Sequence, residues 1–148
     1  MITVVKATSV FNGKATIIGS TSSGGWQTDV SPADGFRMLK QYTAGMHSTG
    51  GSTIALSTWY ILTARYLPGT GTALRIDGTA YTNGSSHTPS ASRTMILGRN
   101  PGGSVAPESS SANFFFGGDM AEIRVFTTGL TTPEIAAHEA ELATKWGF

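Results

Sequence analysis

The C-terminal part of this 148-residue chain joins two local patterns that few folds accommodate together. Residues 121–125 alternate strictly, with three apolar residues on one face and Glu122 and Arg124 on the other. This period of two predicts a strand with one buried face. We expect Glu122 to pair with Arg124 or with a neighbouring strand, and Asp119 to organise the turn that precedes the strand.

A helix is predicted a few residues later. Thr131 and Glu134 have the spacing of a capping box, Pro133 lies in the first turn, and Gly147 follows the last turn. These signals predict one helix over about residues 132–145. Its stripe at helical spacing consists of Ile135, His138, Leu142 and Trp146. We expect this stripe to be buried, with His138 packed or hydrogen-bonded rather than bound to a metal.

The rest of the chain consists of short apolar runs separated by Gly, Ser, Asn and Pro. The run over residues 59–67 is partly apolar on both faces, which predicts a central strand. Asn12-Gly13 predicts a hairpin between the first two strands, and residues 44–52 are interpreted as a loop that contains His47. The fold predicted is all-β: a two-sheet antiparallel β-sandwich with one C-terminal helix, in a single domain over residues 1–148.

Three groups of residues occur in an order shared with one known family. They are residues 74–78 (LRIDG), residues 95–98 (MILG), and a C-terminal set of Phe116, Gly118, Asp119, Ala121, Glu122, Ile123, Val125, Phe126, Leu130, Glu134, Ile135, Leu142, Lys145, Trp146 and Gly147. From about Trp59 onward the chain resembles laminin-G-like, concanavalin-A-like lectin/glucanase jelly-roll domains of bacterial and phage surface or tail proteins. The resemblance implies a jelly-roll fold, and it leaves the ligand open because one fold hosts many functions.

Composition excludes several classes of partner. Only 13% of residues are charged, the net charge is +1 and no basic stripe is present, so nucleic acid is not an expected partner. No segment is long and apolar enough to predict membrane insertion. The first ten residues lack a signal-peptide pattern, while the resembling domains mostly act outside cells. We expect a virion or extracellular location, with an excised domain of a longer chain as the alternative.

The residues do not predict catalysis or a zinc site. Glucan-cleaving members of the resembling superfamily carry E-x-D-x-x-E on one strand, and glycosidases need such a carboxylate pair. In this chain Gly117 replaces the first glutamate before Asp119 and Glu122, so we expect no enzyme activity, and glucanase is a distant alternative. The three histidines lack partners at ligand spacing. The resemblance implies at most one Ca²⁺ at the sheet rim, with Asp29, Asp119 and Asn100 as candidate ligands, and no other cofactor.

Binding of carbohydrate is the function predicted first. Sugar sites combine an aromatic plane with amide or acid groups on loops of a rigid scaffold. The candidate residues are Tyr81, Asn83, His87 and Trp26, with a glycan or cell-surface polysaccharide as the partner. Core packing is an alternative role for Trp26. The alternative function is a structural decoration or cement module that contacts other virion or surface subunits, or a second copy of itself, through its faces and edge strand.

The order of strands and turns also predicts where the long loops lie. If residues 79–82 return along the preceding strand, the loop of residues 83–92 and the loop of residues 98–113 lie at opposite ends of the sandwich. We expect the ligand at the first of these, where Tyr81, Asn83 and His87 come together.

Overall fold

The computed structural model describes residues 1–9, 15–20, 26–31, 35–42, 45–50, 54–67, 71–83, 95–98 and 115–148. These residues form ten strands and one helix. The elements are β1 (Ile2–Ser9), β2 (Ala15–Ser20), β3 (Trp26–Ser31), β4 (Gly35–Tyr42), β5 (Gly45–Gly50), β6 (Trp59–Leu67), β7 (Gly71–Ile76), β8 (Thr79–Asn83), β9 (Met95–Leu97), β10 (Gly117–Arg124) and α1 (Thr132–Trp146).

The strands form two antiparallel sheets of five strands each. The first sheet has the order β10-β1-β6-β7-β8, and the second has the order β5-β4-β3-β2-β9. Contacts of β4 with β7 and of β5 with β8 place the two sheets face to face. The prediction of a two-sheet sandwich with one C-terminal helix is confirmed, and β6 is the central strand of its sheet as expected.

The main core lies between the sheets. It contains Val5, Ala7, Ile17, Ile18, Val30, Phe36, Leu62, Ala64, Leu74 and Ile76. A second cluster lies on the outer face of the first sheet, where Ile2, Val4 and Ile61 pack against Leu142 of α1. Strand β1 is thus buried on both faces, which explains why its sequence has no polar-apolar alternation at its start.

The helix begins and ends where its signals predict. The Thr131 hydroxyl accepts a hydrogen bond from the Glu134 backbone, the Glu134 side chain accepts one from the Thr131 backbone, and Gly147 adopts a left-handed conformation with φ 79°. Burial of the stripe is only partly as expected. Ile135 and Leu142 are buried, but Trp146 is 41% exposed, and the predicted burial of this residue is wrong. Glu139 is buried instead because a sheet arginine neutralises it.

Two predictions in the first half of the chain are wrong. The strands β1 and β2 belong to different sheets, so Asn12-Gly13, which lies outside the described residues, does not join a hairpin. Neighbours β10 and β6 already occupy both edges of β1. Residues 44–52, expected as a loop, contain the strand β5, which pairs with β4 through its backbone although its side chains have little strand propensity.

An extra residue in β10 changes the predicted face pattern. Glu122 lies opposite Val4, whereas Met120 lies opposite Val5, so Ala121 forms a bulge in the register. Ala121 therefore packs on the helix side, while Ile123 packs against the core between the sheets. The expectation that residues 121, 123 and 125 share one buried face is wrong, because a bulge reverses the alternation at that point.

The chain passes from one sheet to the other just before β10. Phe115 forms a bridge with Thr16 of the second sheet, and Gly117 pairs with Ser9 of the first sheet. Between them, the Phe116 backbone N–H donates to the Gly98 carbonyl at 2.8 Å. We call this end of the sandwich the crossing end and the other the opposite end.

Candidate functional site

The carboxylate of Glu122 is held by three donors. Lys145 Nζ lies 2.7 Å from it, Arg124 Nε 2.8 Å and the Trp146 indole nitrogen 3.2 Å. The Lys145 ammonium, followed by the Arg124 guanidinium, lowers the pKa of Glu122 to about 2. Glu122 is therefore ionised at neutral pH and unsuited to protonate a leaving group. Its predicted pairing with Arg124 is present.

Arg124 continues this network on to the helix. Its two terminal nitrogens donate to the Glu141 carboxylate at 2.9 and 2.8 Å, which raises the pKa of Arg124 and lowers that of Glu141. His138 Nδ1 lies 3.0 Å from Arg124 Nη1 and accepts, since arginine can only donate. His138 is thus a hydrogen-bonded packing residue, as expected.

Asp119 has a different role from the one predicted. It lies within β10 rather than in a turn, and its carboxylate pairs with Lys6 Nζ at 2.7 Å across the strands. Two residues before Asp119, a Cβ on Gly117 would collide with the Ser9 hydroxyl. A carboxylate side chain at position 117 would require the Ser9 side chain to move, and with glycine at this position the strand lacks the first carboxylate of the spacing that glucanases use.

The residues proposed for calcium do not converge. Asp29 is fully buried in the second sheet, where Arg37 donates to it at 2.9 and 3.0 Å and Gln27 at 3.1 Å. Asp119 lies on the helix side of the first sheet, and Asn100 is outside the described residues. Sheets in a sandwich are about 10 Å apart, so Asp29 and Asp119 cannot bind one ion together. Across the described ranges, no three His, Cys, Asp or Glu side chains form a metal-binding group.

A buried polar contact fixes α1 to the first sheet. Glu139 accepts hydrogen bonds from Thr63 at 2.8 Å and from Arg75 at 3.0 and 2.9 Å. This contact raises the pKa of Arg75. The contact was not predicted, although Glu139 lies four residues after Ile135 and therefore on the same helix face.

Two of the sugar-binding candidates in the first sheet are at or near the opposite end. Asn83 pairs in register with Thr72, and Thr72 pairs with Tyr66, near the start of β1. Tyr81 lies two residues closer to the middle, is half-buried and packs against the core. Part of its ring therefore stabilises the fold rather than offering a free surface.

Trp26 lies at that end too. Strand β2 starts at the crossing end, and β3 runs antiparallel to it, so the first residue of β3 is at the opposite end. His87 lies outside the described residues, as do both long loops. The residues that flank these loops, Asn83 and Gly98, lie at opposite ends of the sandwich.

A cleft of about 350 Å³ opens at the opposite end, between β6, the start of β1 and the segment that joins β10 to α1. Its lining consists of Met1, Ile2, Thr63, Ala64, Arg65, Tyr66, Val125, Phe126, Thr127, Thr128, Gly129, Leu130 and Ile135. The volume is in the range of small-molecule sites. Tyr66 of this lining pairs with Thr72, and Thr72 pairs with Asn83, so a row of paired backbone residues runs from the cleft to Asn83.

Arg65 is the residue of this lining with a charged side chain. Its Nη1 donates to the Leu130 carbonyl at 2.8 Å, while its Nε is buried without a hydrogen-bond partner. Sequence reasoning missed this residue. The signal was present, because Arg65 shares a strand face with Trp59 and Ile61, where a charge is unexpected unless it serves a ligand or a carbonyl.

Among the described residues, no helix has the length and hydrophobicity needed to cross a bilayer. Searches of curated proteins and of solved structures gave no match. A family model described as the concanavalin A-like lectin/glucanases superfamily matches residues 4–136, which is most of the chain. With the two-sheet sandwich and its strand order, this match shows that the chain belongs to the concanavalin A-like lectin/glucanase superfamily.

Proposed function

We propose that this protein is a non-catalytic carbohydrate-binding module that acts on a virion or at an extracellular surface. The observation that carries the proposal is the placement of Trp26, Tyr81 and Asn83 at or near one end of the sandwich, where the cleft also opens. Aromatic groups suit the C–H face of a sugar ring, and amide groups suit the hydroxyls at its edge. Full engagement of Glu122 by cations supports a binding role over hydrolysis.

The test is a glycan array followed by titration calorimetry on the glycans that bind. Asn83→Ala and Tyr81→Phe address the proposed end, because Tyr81→Ala would also remove core packing. Thr79→Ala is the matched control, since Thr79 is an exposed residue on the same strand at the crossing end. We expect Asn83→Ala to weaken binding and Thr79→Ala to leave it unchanged. Equal effects of the two variants, or no glycan bound by the wild type, would refute the proposal.

A structural role in assembly is the second candidate. Leu97 and Met95 on the short edge strand β9 are 55% and 42% exposed, and the nearby Phe115 is 48% exposed. Strand β9 has β2 as its one neighbour among the described strands, and exposed apolar side chains beside such an edge are typical of contact surfaces between subunits. Light scattering after size exclusion tests this role. An oligomer that Leu97→Lys dissociates, together with an array without hits, would favour assembly over sugar binding.

A further inference from the structure

We infer that the cleft binds a carboxylate-bearing sugar and that Arg65 recognises the carboxylate. This inference rests on the proposed carbohydrate-binding function and specifies the class of ligand. It arises from an arginine whose charge no carboxylate of the described residues matches, in a cleft whose lining otherwise suits a sugar.

Arg65 differs from the other arginines in the described residues. Arg37 pairs with Asp29, Arg75 with Glu139, and Arg124 with Glu122 and Glu141. Within the described part of the chain, Arg65 has one hydrogen bond, to the Leu130 carbonyl, and no carboxylate within ion-pair distance. A guanidinium has five N–H donors, so most of those of Arg65 are unused.

The other charged groups near the cleft already have hydrogen-bond partners. The N-terminal ammonium of Met1 is a second cation of the lining, and it donates to the Ala64 carbonyl at 2.9 Å. Glu134 accepts from the Thr131 backbone and hydroxyl, both at 2.7 Å, and it is exposed. Glu139, between α1 and the sheet, pairs with Arg75. The start of α1, which follows Leu130 in the lining, adds a weak positive potential. Among the described residues, Arg65 is therefore the side-chain charge without a carboxylate partner that a ligand in the cleft would meet.

The remaining lining combines hydroxyl and apolar groups. Thr127 and Thr128 carry hydroxyls, while Phe126 and Leu130 offer apolar surface. A pyranose ring has the same two kinds of surface, hydroxyl groups at its edge and C–H groups on its face. A carboxylate on that ring can accept two N–H donors of one guanidinium in charge-assisted hydrogen bonds, which are stronger than the bonds that neutral hydroxyls accept.

The experiment uses the whole chain and matched pairs of ligands. Digalacturonate and glucuronate are titrated against the protein beside their methyl esters, with acetate as the carboxylate that lacks a sugar. A hydrogen bond to a charged group is stronger than one between neutral groups, by an amount that corresponds to roughly a tenfold change in affinity. We expect the acids to bind at least roughly tenfold more tightly than their esters, and acetate to bind far more weakly.

Two variants with the same charge change locate the effect. Arg65→Gln and Lys6→Gln each remove one positive charge, and Lys6 lies on the same sheet face, where it pairs with Asp119 and stacks on Trp59. We expect only Arg65→Gln to abolish the preference for the acid. Binding of acids to the wild type should also shift the NMR resonances of Arg65 Nε–H, Thr127 and Thr128, a readout that does not depend on the variant folding.

The outcomes separate the inference from the function on which it rests. Neutral sugars that bind as well as acids would overturn the acidic ligand and leave the carbohydrate-binding function in place. Equal losses in Arg65→Gln and Lys6→Gln, or shifts confined to residues outside the cleft, would overturn the role of Arg65. Acetate binding as tightly as uronates would show a simple anion site. Failure of every saccharide on the array to bind would overturn the proposed function itself.

Discussion

Replacing Leu142 by alanine tests whether a few buried side chains hold the C-terminal helix on the sheet. Leu142 has no exposed surface and packs against Ile2, Val4 and Ile61. The change removes three carbons, each worth about 0.8 kcal/mol when buried, and therefore about 2.4 kcal/mol in transfer free energy. The cavity left between helix and sheet adds to this, and we expect a total loss of about 3–4 kcal/mol in the free energy of unfolding.

Trp146→Ala is the informative comparison, because tryptophan is larger than leucine but 41% exposed at this position. Its loss should be about 1–2 kcal/mol, from partial burial and the hydrogen bond to Glu122. The order of the two effects is thus the reverse of that expected from side-chain size alone.

Urea unfolding of both variants, followed by far-UV circular dichroism, gives the two free energies. Tryptophan fluorescence can follow Leu142→Ala as well, since this variant keeps all three tryptophans. A loss below about 1 kcal/mol for Leu142→Ala, or a larger loss for Trp146→Ala, would refute the account of helix docking given above. A helical signal that disappears before the β-sheet transition would show that the helix detaches on its own, which limits the measurable loss to its docking free energy.

Three further predictions concern β10. Glu122 has a folded pKa of about 2 against an ordinary value of 4.5, so its contribution to stability is complete above pH 4.5 and is lost as pH falls toward 2. Glu122→Gln should lower the urea midpoint at pH 7 and flatten its fall over that range, and an unchanged profile would contradict the role of the network. Gly118→Ala should cost about 1–3 kcal/mol by urea unfolding, because a Cβ would collide with the Lys6 carbonyl, whereas Gly129→Ala, where a Cβ meets nothing, should be close to neutral. The protein should release no reducing sugar from β-glucan, and turnover that Glu122→Gln abolishes would overturn the proposal of a non-catalytic module.

The parts of the fold predicted correctly from sequence are those whose signals are local. The capping box at Thr131, the glycine at 147 and the two-faced apolar pattern of residues 59–67 each specify one element without reference to the rest of the chain. The wrong predictions concern long-range pairing. Asn12-Gly13 is a local hairpin signal, but β1 is paired on both edges by strands about 50 and 110 residues later, and no local pattern contains that information.

The candidate site was predictable only in part, because its described residues come from distant segments. Trp26, Tyr81 and Asn83 could be proposed from residue type, and strand direction brings them toward one end. Arg65 was missed because its proposed role depends on the lack of a carboxylate partner among the described residues of the folded chain. Its place on one strand face with Trp59 and Ile61 can be read from the sequence, but whether a carboxylate will meet it cannot, and three of the four arginines in the described residues do meet one.

The glycines that follow the crossing of the chain, at the start of β10, bear on the proposed lack of catalysis. A Cβ on Gly118 would collide with the Lys6 carbonyl of β1, and a Cβ on Gly117 would collide with the Ser9 hydroxyl of the same strand. The position at which glucan-cleaving relatives would need a carboxylate is therefore a glycine that packs closely against the neighbouring strand of its own sheet. Farther along the same strand, Glu122 faces the helix side and is bound by Lys145 and Arg124. The strand thus uses its glycines to approach β1 closely and its carboxylate to hold the helix, which supports the proposed binding at the opposite end of the sandwich over hydrolysis at β10.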